Sequence, residues 1–229
     1  IPHLETNVLD AVYFYGAGCV PDKVPMMHNA LSTHLNTKNG IEVNTDMLAV
    51  ARGLCGHKPG IACIMGTGSN SCFYDGEKIA SNVSPLGFIL GDEGSGAVLG
   101  KLLVGDMLKN QMTPELKEKF LNKTGLTPPE IIDRVYRQPF PNRFLASLSP
   151  FLAENIQEPS VHALVLGSFK AFFQRNVMQY DYKNHPVHFI GSVAYHYQDI
   201  LHEAARELEI QITTIVKSPM QGLMTFHQS

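Results

Sequence analysis

The chain carries two glycine-rich motifs, Gly66-Thr67-Gly68-Ser69-Asn70 and Gly91-Asp92-Glu93-Gly94-Ser95-Gly96, about twenty residues apart. The first motif follows an apolar run at residues 61–65 that is typical of a buried strand. A glycine turn after a strand brings backbone N–H groups close to a phosphate, and the hydroxyls of Thr67 and Ser69 add donors. Because glycine also suits a plain hairpin turn, the motif by itself leaves both interpretations open.

Strands and helices alternate along the chain, which predicts an α/β fold. The patterns predict strands at residues 11–15, 41–43, 61–65, 71–74, 78–81, 187–190 and 210–216. They predict helices at residues 22–35, 46–55, 97–109, 114–121, 127–137, 144–156, 160–182, 194–208 and 219–226. Thr45 or Asn44 is expected to cap the helix at residues 46–55. Asp75-Gly76 is typical of a hairpin turn, and Thr127 with Glu130 forms a capping box. The second half of the chain is therefore expected to be rich in helices.

Composition limits the classes of protein to consider. With 229 residues, 44% hydrophobic and 17% charged, the chain can bury a large core. A net charge of −3 favours neither a nucleic acid nor an anionic membrane as partner. The four cysteines fit no disulfide framework or zinc ribbon, which predicts reduced, mostly buried thiols in a cytoplasmic protein. The ten histidines lack the neighbouring carboxylates or cysteines of a metal site.

Five motifs occur in an order that resembles the BadF/BadG/BcrA/BcrD family of ATPases and, within it, the N-acetylglucosamine kinase type. They are Asn44-Thr45-Asp46, Gly66-Thr67-Gly68-Ser69-Asn70, Gly87 with Gly91-Asp92-Glu93-Gly94-Ser95, Gly191-Ser192-Val193-Ala194 and Ser218-Pro219-Met220-Gln221-Gly222. The resemblance covers nearly the whole chain. It implies the fold of the sugar kinase, actin and heat-shock chaperone superfamily, in which two ribonuclease-H-like lobes enclose a cleft.

The same resemblance implies a division of the chain. Residues 1–57 would belong to the N-terminal lobe and residues 58–218 to a helix-rich C-terminal lobe. Residues 219–229 would form a closing helix that packs back towards the N-terminal lobe.

Asp46 has two interpretations. Acidic residues are common in the first turn of a helix because they suit the positive end of the helix dipole. Phosphoryl transfer to an alcohol, however, needs a carboxylate that orients the attacking hydroxyl and accepts its proton. The resemblance puts the general base of the family at Asp46, and we therefore predict a catalytic role for it.

The acceptor side is predicted from the second motif. Asp92 and Glu93 precede a helix, where acidic residues serve as caps, but carboxylates also bind sugar hydroxyls. The resemblance implies that Asp92 and Asn70 hold the sugar, with Gly87 beside the ring or its acetamido group. Glu93 suits a structural role as well as a sugar contact.

The resemblance implies that Gly66, Thr67, Gly68 and Ser69 surround the phosphates of ATP, with Mg²⁺ as counter-charge and no protein ligand assigned to the metal. Gly191 and Ser192 follow a predicted strand and open a helix, where α/β folds bind nucleotides. A glycine there is also explained by turn geometry alone. The resemblance places this turn beside adenosine.

The expected function is an ATP-dependent phosphotransferase that acts on the 6-hydroxyl of an amino sugar, first of all N-acetylglucosamine, as a homodimer. Two alternatives stay open. One is a BadF-type ATPase that activates a partner enzyme, although those carry cysteines for a shared iron–sulfur cluster and these four cysteines show no such arrangement. The other is a non-catalytic sugar-binding regulatory module.

The resemblance is incomplete at the front. Such kinases begin with two strands joined by an Asp-Gly-Gly-Gly-Thr type of turn, which forms the first phosphate loop, and no such turn occurs in residues 1–229. We expect an upstream segment that supplies it, since the hairpin and its connection need roughly sixty residues. Residues 1–229 alone are expected to show no sugar-stimulated ATPase activity.

Overall fold

The computed structural model describes residues 8–228, which form a mixed α/β fold around a five-stranded sheet. The strands are β1 Val12–Gly16, β2 Ile41–Thr45, β3 Gly60–Met65, β4 Ser69–Tyr74, β5 Ile79–Asn82, β6 Val187–Ile190 and β7 Ile212–Val216. The sheet has the order β5-β4-β3-β6-β7, and β1 pairs in parallel with β2 as a separate two-stranded sheet. Since β3, β6 and β7 are mutually parallel, their carboxyl ends meet at one edge.

The helices are α1 Val24–His34, α2 Asp46–Cys55, α3 Gly87–Leu90, α4 Gly96–Leu108, α5 Pro114–Thr124, α6 Pro128–Tyr136, α7 Pro141–Glu154, α8 Pro159–Arg175, α9 Ser192–His196, α10 Gln198–Glu207 and α11 Met220–Gln228. The predicted caps are confirmed. Thr45 Oγ1 accepts the Leu48 N–H at the start of α2, and Thr127 with Glu130 forms the capping box of α6.

The two faces of the five-stranded sheet carry different layers. Along β3, Ile61, Cys63 and Met65 face a large apolar core shared with the helices α4 to α8 and α10. Ala62 and Ile64 face a smaller cluster shared with α2. Burial on both faces explains why β3 is a continuous apolar run with no polar alternation.

Two long helix predictions were wrong, one in its C-terminal end and one in its continuity. The helix predicted at residues 160–182 ends at Arg175, and a 3-10 turn at Val177–Gln179 then leads to Tyr180 in an extended conformation. The helix predicted at residues 194–208 is divided into α9 and α10 at Tyr197. Both tyrosine hydroxyls bond to distant strands or helices, and these tertiary contacts override the local preference for a continuous helix.

Other predictions differ in smaller ways. The helix predicted at residues 22–35 begins as a 3-10 turn at Pro21–Lys23, and α3 was not predicted because four residues carry too little periodicity. None of the helices within residues 8–228 combines the length and apolar character needed to cross a membrane.

The C-terminal helix α11 packs on the first part of the chain. Arg52 of α2 donates to Tyr15 Oη and to Glu42 Oε1, both at 2.7 Å. Tyr15 Oη lies 2.9 Å from His227 Nε2, and the Tyr13 ring stacks on His227 with the ring centres 3.7 Å apart. These contacts join α11 to β1 and α2. Residues 1–7 and Ser229, which belong to the predicted first and last segments, lie outside the described residues.

Candidate functional site

The phosphate turn, which we define as residues 66–69, joins β3 to β4. Met65 pairs with Ser69 across the hairpin, and the Gly66 N–H donates to Gly68 O at 2.9 Å. The turn is therefore a hairpin, as one interpretation predicted. Thr67 is exposed, and a Cβ built on Gly66 would meet no atom within 4 Å. Open backbone next to a free hydroxyl is what a phosphate cradle requires, so the second interpretation is compatible with the first.

The amino end of helix α4 is hydrogen-bonded to the phosphate turn. The Gly96 N–H donates to Gly66 O at 2.7 Å, and the Ala97 N–H donates to Thr67 O at 3.1 Å. The carbonyl groups of the turn thus point at the amino end of α4 and satisfy its first donors. The opposite side of the turn remains open.

Asp92 connects the phosphate turn to the acceptor loop, which we define as residues 83–94. Its carboxylate lies against the phosphate turn, because a Cβ built on Gly68 would be 3.0 Å from Asp92 Oδ2. The backbone N–H groups of Ser69 and Gly87 favour its charged form and lower its pKa. Burial nevertheless raises the pKa of Asp92, and the nearby Glu93 carboxylate adds to the effect. The backbone of Asp92 has φ of 55°, an unusual value for a non-glycine residue that is often found at functional sites.

Ser69 and Glu93 are also tied to each other. Ser69 Oγ donates to the Glu93 backbone oxygen at 2.8 Å, so this hydroxyl already has a protein partner. The Glu93 carboxylate pairs with Arg175 Nη1 at 2.9 Å. Both side chains therefore interact with other groups of the protein. A phosphate contact by Ser69 and a sugar contact by Glu93 stay predictions.

Asn70 and Gly87 are the other two residues predicted to face the sugar. Asn70 Oδ1 accepts from the Ser71 N–H at 2.8 Å and from Asn82 Nδ2 at 3.0 Å. Both bonds use Oδ1, so the amide nitrogen of Asn70 is the group left for a ligand. Gly87 has φ of 73° and open space at its Cα, which lets a ligand approach its backbone.

Gly191 brings a second turn against the phosphate turn. It has φ of 120°, and a Cβ at this position would lie 2.3 Å from Met65 O and 3.3 Å from the Gly66 nitrogen. Only glycine permits this approach without moving the backbone. Ser192 follows as an exposed residue at the start of α9. The two turns predicted to contact the nucleotide are therefore neighbours.

Asp46 lies at the amino end of α2. Cys55, at the other end of the helix, is beside Gly60, because a Cβ on Gly60 would lie 2.9 Å from Cys55 Sγ. Gly60 begins β3, so α2 runs opposite to β3 and its amino end points towards the edge where β3 ends. Asp46 is half-buried, and its Oδ1 accepts the Met47 N–H at 2.8 Å. The helix-cap interpretation thus has a bond to support it, and the catalytic role stays a prediction.

A cavity of about 570 Å³ lies behind the acceptor loop, between α3, α4 and α8. Its lining includes Glu93, Lys101 and Arg175 together with exposed Ile89 and Leu90. On the side of this cavity, hydrogen bonds hold the acceptor loop in place. Lys101 Nζ donates to Phe88 O at 2.6 Å, and the Gly94 N–H donates to Ser168 Oγ at 3.0 Å.

The residues that make these polar contacts carry no signal in the sequence. Lys101, Ser168, Arg175 and Tyr180 are ordinary members of predicted helices in the sequence, and no spacing or motif marks them. Their partners lie 13 to 109 residues away along the chain. Only the tertiary fold brings them to the site.

The turns are compatible with ATP and Mg²⁺. Gly66, Thr67 and the Gly191 turn offer open backbone and a hydroxyl for phosphates. Residues 8–228 contain no group of three or more His, Cys, Asp or Glu residues that could hold a metal ion. Mg²⁺ bound with a nucleotide needs only one or two carboxylates beside phosphate and water, so this set of residues does not conflict with it.

No protein-family model matches the chain, and no curated protein sequence matches it. Solved structures do. A candidate N-acetylglucosamine kinase from Porphyromonas gingivalis is 54% identical, with a TM-score of 0.93, and the match covers 95% of this chain and 77% of the other.

Two more distant structures share the fold. A candidate N-acetylglucosamine kinase from Chromobacterium violaceum is 20% identical with a TM-score of 0.73, covering 94% of this chain and 75% of its own. The ROK hexokinase of Thermus thermophilus is 13% identical with a TM-score of 0.52, and the match covers 95% of this chain and 78% of the hexokinase. In contrast, more than half of the aligned residues are identical between this chain and the Porphyromonas gingivalis protein.

Proposed function

Because the chain belongs to the N-acetylglucosamine kinase-like family of ATP-dependent sugar kinases, we propose that it phosphorylates the 6-hydroxyl of an amino sugar, most of all N-acetylglucosamine. The choice of sugar and of hydroxyl goes beyond the family. It rests on the residues of the acceptor loop and on the name of the similar protein from Porphyromonas gingivalis.

The single observation that carries the proposal is the position of Asp92. Its carboxylate lies against Gly68 of the phosphate turn, and the backbone N–H groups of Ser69 in that turn and Gly87 in the acceptor loop favour its charged form. One side chain thus holds the two turns together. Phosphoryl transfer requires that donor phosphate and acceptor hydroxyl be held side by side, and a shared anchor of this kind provides that arrangement.

In the proposed reaction, Asp46 accepts the proton of the sugar 6-hydroxyl. The oxygen of that hydroxyl forms a bond to the terminal phosphorus of ATP. The bond between that phosphorus and the departing ADP oxygen breaks, and ADP leaves with the electron pair. Asn70 and Asp92 orient the sugar, and Gly66 with Thr67 holds the phosphates. Mg²⁺, when bound with ATP, neutralises phosphate charge.

Four further features belong to the proposal. We propose two lobes that close around the cleft, divided near residue 57, with α11 returning to the first lobe. We propose a homodimer, which sedimentation analysis would measure. We propose a cytoplasmic location, in keeping with the free thiols of Cys19, Cys55, Cys63 and Cys72.

Burial of the cysteines argues against an activating ATPase with a shared iron–sulfur cluster. Cys63 and Cys72 are fully buried, and burial raises the pKa of the Cys72 thiol to about 12. Ligands of a cluster between subunits must reach the surface as thiolates. These two residues instead fill opposite faces of the central sheet.

The experiment is a coupled ADP-release assay of the full-length protein with N-acetylglucosamine, N-acetylmannosamine, glucosamine and glucose. We expect ADP release to depend on the sugar and kcat/KM to be highest for N-acetylglucosamine. A higher kcat/KM for another amino sugar would change the substrate but keep the kinase. If none of the sugars stimulates ADP release, the proposed function is wrong.

A further inference from the structure

Tyr180 places its hydroxyl at the junction between β4 and the acceptor loop. Its Oη donates to Ser71 O at 3.0 Å and accepts the Val83 N–H at 2.8 Å. Ser71 Oγ lies 2.9 Å from the same oxygen. With Ser71 Oγ as donor, the single proton and the two lone pairs of the tyrosine hydroxyl are all used. This hydroxyl is therefore fully bonded to the protein.

These bonds lie beside two predicted sugar contacts, Asn70 on β4 and Gly87 in the acceptor loop. Ser71 follows Asn70 on β4, and Val83 begins the four-residue stretch that leads into Gly87. Asn82 completes the set, since its Nδ2 donates to Asn70 Oδ1 at 3.0 Å and also to Ser71 O. Movement of the Tyr180 hydroxyl would change the separation between Asn70 and Gly87.

The same part of the chain also holds Glu93. Arg175, the last residue of α8, pairs with Glu93 Oε1 at 2.9 Å, and Asn176 Nδ2 lies 3.5 Å from Glu93 Oε2. The departure from a regular helix at Asn176 turns the chain so that Tyr180 faces β4. Residues 175–180 therefore contact the acceptor side at three points.

We propose that Tyr180 is a positioning residue for the acceptor: its hydroxyl sets the placement of Asn70 relative to the loop that leads to Gly87, and thereby the affinity for the sugar. This inference rests on the proposed function of the site. Tyr180 itself contacts no substrate in this account. Side chains that orient ligand-binding groups in this way fix the geometry on which binding depends.

The test is Tyr180→Phe in the full-length protein, compared with Tyr197→Phe as a matched control. Tyr197 is buried and Tyr180 half-buried, and the Tyr197 hydroxyl donates to Ser149 O at 2.5 Å in the helical core. Each variant removes one tyrosine hydroxyl that is hydrogen-bonded inside the protein. We expect Tyr180→Phe to raise KM for N-acetylglucosamine roughly 5- to 30-fold, the usual scale for loss of such hydrogen bonds. KM for ATP and kcat should stay within about twofold of the wild-type values.

Tyr197→Phe should lower the melting temperature without changing KM for the sugar. The same KM for the sugar in both variants, or equal rises of KM for sugar and ATP in Tyr180→Phe, would overturn the inference. Should Tyr180→Phe fail to fold, Ser71→Ala tests the same point, because it removes one bond to the tyrosine and should also raise KM for the sugar alone. Absence of sugar phosphorylation in the wild-type protein would instead refute the proposed function.

Discussion

The phosphate turn and the acceptor loop lie side by side but are built in different ways. The phosphate turn offers open backbone at Gly66 and an exposed Thr67. The acceptor loop is held by side chains from elsewhere in the chain, among them Lys101, Ser168 and Tyr180. A nucleotide phosphate can be bound by main-chain donors where glycine leaves the backbone open, whereas discrimination among sugars requires side chains held in fixed positions.

This contrast predicts where substitutions should matter. Changes of side chain in the phosphate turn should have modest effects, since the backbone does most of the binding there. Changes in the acceptor loop and its supports should affect the sugar strongly and ATP weakly. Asp46 stands apart from both regions because its predicted role is in the chemical step.

Asp46→Asn should have the largest effect. We expect kcat to fall by at least about 10²-fold, the usual scale for removal of a general base, while sugar and ATP still bind. The asparagine oxygen can still accept the Met47 N–H, so the helix cap is preserved. Steady-state kinetics and calorimetry on one preparation measure both quantities. Normal turnover would assign Asp46 to capping alone.

Asp92→Ala should come next. We expect the affinity for the sugar to fall by roughly 1.5–3 kcal/mol, as for loss of hydrogen bonds to a charged acceptor, and the affinity for ATP to fall by less. The variant also removes the carboxylate that lies against Gly68, and its melting temperature serves as the control. Equal losses for sugar and ATP in calorimetry would mean that Asp92 acts only as the tie between the two turns.

Thr67→Val should have a smaller effect, confined to the nucleotide. Loss of one exposed hydroxyl donor should raise KM for ATP by roughly 3- to 10-fold and leave KM for the sugar unchanged. Thr67→Ser retains the hydroxyl and is the matched control. If Thr67→Val lowered the affinity for ATP by more than Asp92→Ala lowers the affinity for the sugar, backbone donors would not dominate phosphate binding.

His188 should give the smallest effect and provides a control away from both regions. Burial lowers the pKa of this imidazole on β6, so the unfolded chain binds its proton more readily than the folded one. Stability is therefore lost as the pH falls below the usual histidine value towards the lowered one. We expect the melting temperature to fall across this pH range because the folded chain binds this proton less readily. His188→Leu should reduce the pH dependence without changing either KM, and an unchanged dependence would contradict this assignment.

Elements with local signals could be predicted from the sequence. The cap at Thr45, the hairpin at Asp75-Gly76 and the capping box at Thr127 depend on neighbouring residues, and the structure contains all three. The glycine motifs likewise indicated which turns meet at the edge of the sheet. These signals are local because the bonds that cause them close within a few residues.

The supports of the site could not be predicted. The end of α8 and the orientation of Tyr180 depend on Ser71, a partner 109 residues away. The tie between Asp92 and Ser69 likewise appears only after the two motifs are brought together. Helical periodicity favoured a continuous helix through residues 160–182, and a few tertiary hydrogen bonds were enough to change that outcome.

The most direct test of the proposed phosphoryl transfer compares N-acetylglucosamine with its 6-deoxy analogue in the ADP-release assay of the full-length protein. The analogue keeps the acetamido group and the ring hydroxyls but lacks the hydroxyl proposed to attack ATP. We predict that it competes with N-acetylglucosamine for binding and causes no ADP release above background. Equal ADP release with both sugars would show that the 6-hydroxyl is not the acceptor and would contradict the account.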